Sequence, residues 1–358
     1  FTEPSRVFDL KAEYVGVTSV ILTWSADSPA SDPYTYRIEF VNDTSVKNLT
    51  TNETKAEITE LIPGTLYNFT VFAVAADNET EGEGRPIDLY TKPSRVFDLK
   101  AEYVGVTSVI LTWSADSPAS DPYTYRIEFV NDTSVKNLTT NETKAEITEL
   151  IPGTLYNFTV FAVAADNETE GEGVSIGLYT KPSRVFDLKA EYVGVTSVIL
   201  TWSADSPASD PYTYRIEFVN DTSVKNLTTN ETKAEITELI PGTLYNFTVF
   251  AVAADKETEG EGVSIGLYTK PSRVFDLKAE YVGVTSVILT WSADSPASDP
   301  YTYRIEFVND TSVKNLTTNE TKAEITELIP GTLYNFTVFA VAADNKTEGE
   351  GVSIGLYT

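Results

Sequence analysis

The segment Leu61-Ile62-Pro63-Gly64-Thr65-Leu66-Tyr67 is the most informative part of the sequence, because a Pro-Gly turn directly before a tyrosine is typical of a tyrosine corner. In that motif the tyrosine points into a β-sandwich and its hydroxyl bonds back to nearby backbone. The inward positions of the stretch that follows are Tyr67, Phe69, Val71, Ala73 and Ala75, and the outward ones are Asn68, Thr70, Phe72 and Val74. This period of two predicts a long strand with one buried face.

Two earlier stretches show the same alternation. Val20, Leu22 and Trp24 alternate with Ile21 and Thr23, and Tyr36, Ile38 and Phe40 alternate with Arg37 and Glu39. The turn-rich segment 27–33 separates them. Several such short strands, about seven in one unit, predict two packed antiparallel sheets. We expect Trp24 and Tyr67 to be structural core residues and not binding residues.

The whole pattern recurs with a fixed period. Trp24, Trp113, Trp202 and Trp291 are each 89 residues apart, and so are Tyr67, Tyr156, Tyr245 and Tyr334. A period this long, containing a complete set of strands, indicates tandem domains. We therefore predict four domains, at residues 1–91, 92–180, 181–269 and 270–358, with all eight of these aromatic residues in their cores.

The four copies are nearly identical, and their main differences lie in three short places. Repeat 1 has Arg85-Pro86-Ile87-Asp88 where repeat 2 has Val174-Ser175-Ile176-Gly177, repeat 3 has Lys256 where the others have Asn, and repeat 4 has Lys346 where the others have Glu. Adjacent domains this similar are prone to misassembly. The similarity indicates recent duplication or deliberate design, which the sequence leaves open. Because the first residues match the end of a repeat, we expect a piece of a longer array.

With Trp24 on its second strand, the Leu-x-Pro-Gly-x-x-Tyr segment and no cysteine pair, each repeat resembles a fibronectin type III domain and not an antibody-type domain. More narrowly, residues 7–10, 14–15 and 61–68 resemble the fibronectin repeats of receptor-type protein tyrosine phosphatases of the eta, or density-enhanced, type. The resemblance covers the whole chain. It implies an all-β fold of four tandem seven-stranded immunoglobulin-like sandwiches, in the outer part of a receptor whose catalytic domain is intracellular.

The composition excludes most chemistry. The chain has no Cys, His or Met, so a zinc site, a thiol nucleophile and a Ser-His-Asp triad all lack their residues. A formal net charge of −27 at pH 7 opposes nucleic-acid phosphates and anionic membranes. No run of about 18 apolar residues occurs. We expect no enzyme activity, no cofactor, no metal, no nucleic-acid partner and no direct membrane insertion.

Asn-x-Ser/Thr triplets indicate an extracellular protein, because they accept glycans on chains that pass through a secretory pathway. Repeat 1 has five, and the set recurs except where Lys256 removes one. The predicted acceptors are Asn42, Asn48, Asn52, Asn68, Asn78, Asn131, Asn137, Asn141, Asn157, Asn167, Asn220, Asn226, Asn230, Asn246, Asn309, Asn315, Asn319, Asn335 and Asn345. The alternative is an Asn/Thr-rich loop composition that is never modified.

The acceptors fall in two settings. Asn42, Asn48 and Asn52 lie around a predicted edge strand, where glycans would cover unpaired backbone that otherwise invites aggregation. Asn68 lies in mid-strand and faces outward beside Phe72 and Val74. A glycan there would shield an apolar patch or rim a binding face, and we favour shielding.

The loop 77–84 imitates a calcium loop, with acidic residues at positions 1, 3 and 5 and Gly at position 6. The imitation fails at position 12, which is Asp88 in repeat 1 but Gly177 in repeat 2, and Lys346 takes position 3 in repeat 4. We expect a solvated hairpin loop. It is no general acid/base pair either, because an open Gly-rich loop stays wet. No Arg-Gly-Asp motif occurs.

The sequence therefore predicts a glycosylated, non-catalytic segment on the extracellular side of the plasma membrane, as part of a larger receptor, or secreted. It would set a distance between neighbouring parts of the receptor and present surfaces to extracellular or cell-surface proteins, a second copy of the chain included. Short junctions such as Thr91-Lys92-Pro93 predict an extended rod, because proline stiffens each one. Two alternatives stay open, a matrix or adhesion protein array and an engineered consensus-like scaffold.

Overall fold

The computed structural model of the chain describes residues 2–220 and 222–358. Their regular secondary structure consists of 28 β-strands, seven in each repeat. None of these residues belongs to a helix long and apolar enough to cross a membrane. The chain divides into two compact units, Phe1–Ile151 with Leu155–Thr180, and Pro152–Thr154 with Lys181–Thr358.

The first unit contains strands β1–β14. In repeat 1 they are β1 (Phe8–Val15), β2 (Val20–Ser25), β3 (Thr35–Asn42), β4 (Ser45–Thr51), β5 (Lys55–Ile58), β6 (Leu66–Val74) and β7 (Arg85–Tyr90). In repeat 2 they are β8 (Phe97–Val104), β9 (Val109–Ser114), β10 (Thr124–Asn131), β11 (Ser134–Thr140), β12 (Lys144–Ile147), β13 (Leu155–Val163) and β14 (Val174–Tyr179).

The second unit contains strands β15–β28. In repeat 3 they are β15 (Phe186–Val193), β16 (Val198–Ser203), β17 (Thr213–Asn220), β18 (Ser223–Thr229), β19 (Lys233–Ile236), β20 (Leu244–Val252) and β21 (Val263–Tyr268). In repeat 4 they are β22 (Phe275–Val282), β23 (Val287–Ser292), β24 (Thr302–Asn309), β25 (Ser312–Thr318), β26 (Lys322–Ile325), β27 (Leu333–Val341) and β28 (Val352–Tyr357).

Each repeat is a sandwich of two antiparallel sheets. In repeat 1 the three-stranded sheet has the order β1-β2-β5 and the four-stranded sheet has the order β4-β3-β6-β7. The register of β3 against β6 places Ile38 opposite Val71. The other repeats have the same topology. The predicted all-β fold of four tandem seven-stranded sandwiches is confirmed.

The core of each repeat lies between its two sheets and follows the period-two pattern of the strands. Val20 and Leu22 on β2 are fully buried, and so are Ile38 on β3 and Phe69 on β6. Aromatic rings fill much of this space: Trp24 packs edge-on against the Tyr36 ring, with centroids 5.3 Å apart. Edge-to-face pairs of this kind add to the stability that burial provides.

The last residue of β6 is buried although it lies on the outer face of the sheet. Val74 was expected on that face with Phe72, and the register places it there, opposite Thr35, but Val74 is only 7% exposed. The chain returning from the loop 77–84 forms an antiparallel bridge between Glu81 and Val74. The returning segment therefore covers the end of the strand, which no local pattern indicates.

The junction between repeats 1 and 2, which both lie in the first unit, is held by backbone hydrogen bonds. Lys92 N donates to Gly16 O at 2.9 Å, and Gly64 N donates to Lys92 O at 3.1 Å. Thr91 is fully buried. Across the junction, the Tyr123 ring lies so close to Gly64 that a Cβ on this glycine would be 2.2 Å from Tyr123 Cε1. Repeats 3 and 4 repeat this arrangement inside the second unit, with Tyr301 against Gly242.

Candidate functional site

The tyrosine corner closes one end of each sandwich. Tyr67 Oη accepts a hydrogen bond from Ile62 N at 2.9 Å, which confirms the predicted bond back to nearby backbone. Gly64 takes a positive φ of 57°, a conformation that favours glycine. Burial raises the pKa of the Tyr67 hydroxyl. The structure buries all eight aromatic residues that the sequence placed in the cores, Trp24, Trp113, Trp202, Trp291, Tyr67, Tyr156, Tyr245 and Tyr334, each to 5% exposure or less.

The corner also engages the first predicted glycan acceptor. Tyr67 Oη donates to Asn42 Oδ1 at 2.7 Å, and Asn42 Nδ2 donates to Glu60 O at 3.0 Å. The side chain of Asn42 is half-buried. The equivalent amides of the other repeats make the same two bonds, at Asn131, Asn220 and Asn309. Both ends of these amides therefore belong to the fold, a role that sequence reasoning missed.

Arg37 is the centre of a charged cluster on the outer face of the four-stranded sheet. Its Nε and Nη2 atoms donate to the two carboxylate oxygens of Glu81, both at 2.7 Å. Its Nη1 atom donates to Glu39 Oε2 and to Asn48 Oδ1, also both at 2.7 Å. The guanidinium carbon lies 4.2 Å from the centre of the Phe72 ring. We call Arg37, Glu39, Asn48, Phe72 and Glu81 the arginine cluster.

The arginine cluster is largely self-satisfied. A guanidinium has five N–H groups, and four of those on Arg37 point at acceptors within the repeat. The hydrogen bond from Arg37 lowers the pKa of Glu81. The sequence placed Phe72 on the outer face of its strand, and Arg37 and Glu39 alternate with the inward residues of theirs; the structure brings the three together on one outer face. It adds Glu81 and Asn48, and so ties β3, β4, β6 and the segment after β6 to one another.

The loop 77–84 uses its carboxylates internally. Asp77 Oδ1 accepts from the backbone N–H groups of Glu79 and Thr80, at 3.0 and 2.9 Å, and Oδ2 accepts from Thr80 Oγ1 at 2.6 Å. The Thr80 hydroxyl is the main cause that lowers the pKa of Asp77 to about 2. Glu81 faces Arg37. Within residues 2–220 and 222–358, no three acidic side chains are grouped so that they could hold a metal ion.

The remaining predicted acceptors are exposed. In repeat 1 these are Asn48, Asn52, Asn68 and Asn78, and their copies in the other repeats are exposed as well. Asn68 differs between repeats in its partner across the sheet. Its Nδ2 donates to Asp88 Oδ1 on β7, whereas Asn157 in repeat 2 lies opposite Gly177.

A groove lined by both apolar and polar residues borders Asn68. It has a volume of about 660 Å³, and its lining includes Val41, Ile62 and Leu66 beside Asn68 and Asp88. Val41 and Leu66 are 56% and 49% exposed. This groove is the apolar surface next to Asn68 that the sequence could only assign to Phe72 and Val74.

Comparison with known proteins agrees with this architecture. The fibronectin type III domain family matches residues 3–89, 92–176, 181–264 and 270–354. Each matched range lies inside one of the four predicted domains, whose boundaries stay predictions. Fibronectin type III domains are non-catalytic modules.

Three curated relatives are similar over nearly the whole chain. Receptor-type tyrosine-protein phosphatase eta from Gallus gallus is 66% identical over 358 residues, which is 100% of this chain and 26% of that protein. Receptor-type tyrosine-protein phosphatase H from Homo sapiens is 31% identical over 382 residues, covering 99% of this chain and 33% of that protein. Tenascin-R from Gallus gallus is 24% identical over 353 residues, covering 95% of this chain and 25% of that protein.

The chain thus spans only about a quarter to a third of the length of these relatives. They are cell-surface or extracellular proteins, and the similarity to the receptor-type phosphatases falls in their extracellular part, so the predicted resemblance is confirmed. The sheet order, the tyrosine corner and the four matched ranges agree: the chain belongs to the fibronectin type III family and consists of four tandem domains of it.

Proposed function

We propose that this chain is a glycosylated, non-catalytic spacer in the extracellular part of a cell-surface receptor, which holds its sandwich faces at fixed intervals for protein partners. The observation that carries the proposal is the 66% identity to a receptor-type tyrosine phosphatase along the entire chain. A piece of such a receptor made only of sandwich domains has a mechanical and recognition role, because the fold supplies surfaces and length but no reacting groups.

The junctions inside each unit support the spacer role. Between repeats 1 and 2, the linking residue Lys92 is bonded on both sides to repeat 1, and the next residue is Pro93. Between repeats 3 and 4, Lys270 N donates to Gly194 O at 2.8 Å and Gly242 N donates to Lys270 O at 3.1 Å. A junction without a free linker fixes the placement of one domain relative to the next, whereas a flexible linker would not.

The asparagines support the glycan role. Every asparagine of the chain stands two residues before a threonine, in an Asn-x-Thr triplet. A glycan on Asn68 would lie over the groove in which Val41 and Leu66 are exposed, which favours the shielding role over a binding role. Such a cover lowers the risk that contiguous apolar surface causes self-association.

The partner is a protein surface that we do not identify. With a net charge of −27, the chain attracts basic surfaces and repels acidic ones at long range. A second role, in a matrix or adhesion array, draws on the similarity to Tenascin-R, which reaches 24% over 95% of this chain. An engineered consensus-like scaffold is the remaining alternative.

Expression behind a secretion signal in mammalian cells tests the proposal. We expect the chain in the medium at a mass well above its polypeptide mass of 39.3 kDa, and a return to that mass after an amidase removes N-linked glycans. The same chain made in bacteria is the control. Secreted protein that already has its polypeptide mass would remove the main support for the extracellular role.

A further inference from the structure

We propose that the folded domain carries a glycan at Asn48 and its copies, because the arginine cluster orients their amides with the nitrogen outward. Asn42 and its copies stay unmodified, because their amides form part of the tyrosine corner. This inference rests on the proposed function, since it requires the secretory pathway. It distinguishes two acceptors that lie six residues apart and that both stand in an Asn-x-Thr triplet. The equivalents of Asn48 are Asn137, Asn226 and Asn315, and those of Asn42 are Asn131, Asn220 and Asn309.

Arg37 fixes which way the amide of Asn48 points. A guanidinium only donates hydrogen bonds, so the atom that faces it must be the amide oxygen. The distance from Arg37 Nη1 to Asn48 Oδ1 is 2.7 Å, and the three copies have the same bond at 2.6 to 2.7 Å. The nitrogen Nδ2, which bonds to the sugar, is therefore turned away from the cluster, on an exposed residue of the edge strand β4.

A sugar at Asn48 is compatible with every contact of the cluster. N-glycosylation replaces one hydrogen of Nδ2 and leaves the carbonyl oxygen in place, so the bond from Arg37 persists. Arg37 itself is anchored by both oxygens of Glu81. The modified amide would keep a defined orientation, and the glycan would stand over the unpaired edge of β4.

The amide of Asn42 has the opposite arrangement. Its Nδ2 donates to Glu60 O and its Oδ1 accepts from the Tyr67 hydroxyl, so the nitrogen points at the protein. The next two residues, Asp43 and Thr44, take positive φ values of 49° and 65° in the tight turn that joins β3 to β4. Nδ2 carries two hydrogens and one of them is bonded to Glu60 O, so a sugar on the other must fit beside this carbonyl on a half-buried residue, and it would loosen the corner.

Sugar transfer to a nascent chain precedes folding, so the structure cannot direct the transfer. It instead determines which of the modified chains fold and are secreted. Chains that carry a sugar at Asn42 fold with a weakened tyrosine corner and leave the cell in smaller numbers. Weakening one hydrogen bond of the corner lowers the folded-to-unfolded ratio by up to about tenfold, and a loss of this size changes the abundance of a protein several-fold in cells. Secreted protein should therefore show several-fold less modification at the Asn42 class than at the Asn48 class.

Two sets of matched variants test this in the full secreted chain. Both remove a triplet through its threonine, which is exposed in either case, and leave the asparagine in place. One set changes Thr50, Thr139, Thr228 and Thr317 to Ala, and the other changes Thr44, Thr133, Thr222 and Thr311 to Ala. We expect the first set to lower the mass of the secreted protein by about four glycans, and the second to leave that mass nearly unchanged, because of these two classes it is the Asn48 class that carries the glycans.

A measurement on the unaltered chain covers the case in which a variant fails to fold. Amidase release in heavy-oxygen water marks each modified asparagine, and trypsin separates residues 38–47, with Asn42, from residues 48–55, with Asn48 and Asn52. Fragmentation of the second peptide in the mass spectrometer then shows which of its two asparagines carries the mark. Marking of both classes to a similar extent, or of the Asn42 class alone, overturns the inference while the proposed function stands. A secreted chain with no marked asparagine overturns both.

Discussion

Replacing Gly64 by Ala would perturb two things at once, and replacing Gly331 by Ala would perturb only one of them. Both glycines occupy the same position of the Pro-Gly turn, with φ values of 57° and 65°. The left-handed conformation costs an L-residue roughly 1 to 2 kcal/mol, and the stiffer unfolded chain offsets part of this. At Gly331 an added Cβ meets no atom within 4 Å. Gly331→Ala should therefore destabilise repeat 4 by only about 1 kcal/mol.

At Gly64 the added Cβ meets the next domain. The Tyr123 ring, only 2% exposed, occupies the space, with Cε1 at 2.2 Å and Oη at 2.8 Å from the Cβ position. The ring must move out and lose part of its burial. Tyr34, its counterpart in repeat 1, is half-buried, so the partial loss for Tyr123 is about 1 kcal/mol. We expect Gly64→Ala to cost about 2 kcal/mol in total, about twice the cost of Gly331→Ala.

Scanning calorimetry of the full chain can separate the two effects. For a domain of this size, 1 kcal/mol lowers the unfolding temperature by roughly 4 to 8 °C, so one of the four repeat transitions should shift visibly. Tyr123→Ala supplies the control: in that background the clash is absent, and Gly64→Ala should cost no more than Gly331→Ala does. Equal costs for the two glycine variants in the original chain would refute the explanation, because it requires the ring at Gly64.

Four further outcomes follow from the contacts described above. Burial raises the pKa of the Tyr67 hydroxyl above 10, so its contribution to stability is full below about pH 10 and is lost as the pH rises through the folded-state pKa. Arg37 lowers the pKa of Glu81 below 4.5, so that contribution is present above this pH and is lost as the pH falls through the folded-state value; urea unfolding midpoints across the acid and alkaline ranges measure both, and a flat profile would contradict them. Trp24→Ala should cost roughly 3 to 5 kcal/mol in urea unfolding, and a loss below about 1 kcal/mol would mean that the indole is not a core residue. Calorimetric titration with millimolar calcium should show no saturable binding, because Asp77 and Glu81 are engaged by donors of their own repeat, and a micromolar site would reverse this assignment.

The elements that the sequence predicted well depend on short-range patterns. The alternation of Val20, Leu22 and Trp24 requires only that β2 have one buried face, and the structure buries that face. The Pro-Gly turn before Tyr67 lies within five residues of the backbone N–H that the hydroxyl binds. Signals of this range depend little on how the two sheets pack.

The contacts that the sequence could not predict depend on the pairing of distant strands. Asn42 meets Glu60 and Tyr67, 18 and 25 residues away, only because β3 ends beside the corner. Arg37 meets Glu81 across 44 residues of sequence. From the sequence, Asn42 and Asn48 are equal triplets and Glu81 is one of several loop carboxylates. The fold alone makes one asparagine part of the corner and the other part of the arginine cluster.

The few differences between repeats acquire meaning from their positions. Asp88 and its counterpart Gly177 are exposed on β7 and β14, and Lys256 and Lys346 are exposed in the loop after the sixth strand. None of these residues belongs to the tyrosine corner, to the arginine cluster or to the glycine and tyrosine of a junction. The variable positions therefore change surface charge, one glycan triplet and the cross-strand partner of Asn68, while the tyrosine corner, the arginine cluster and these junction contacts are kept. A partner that distinguishes one repeat from another must contact the last strand and this loop, because the sequences are nearly identical elsewhere.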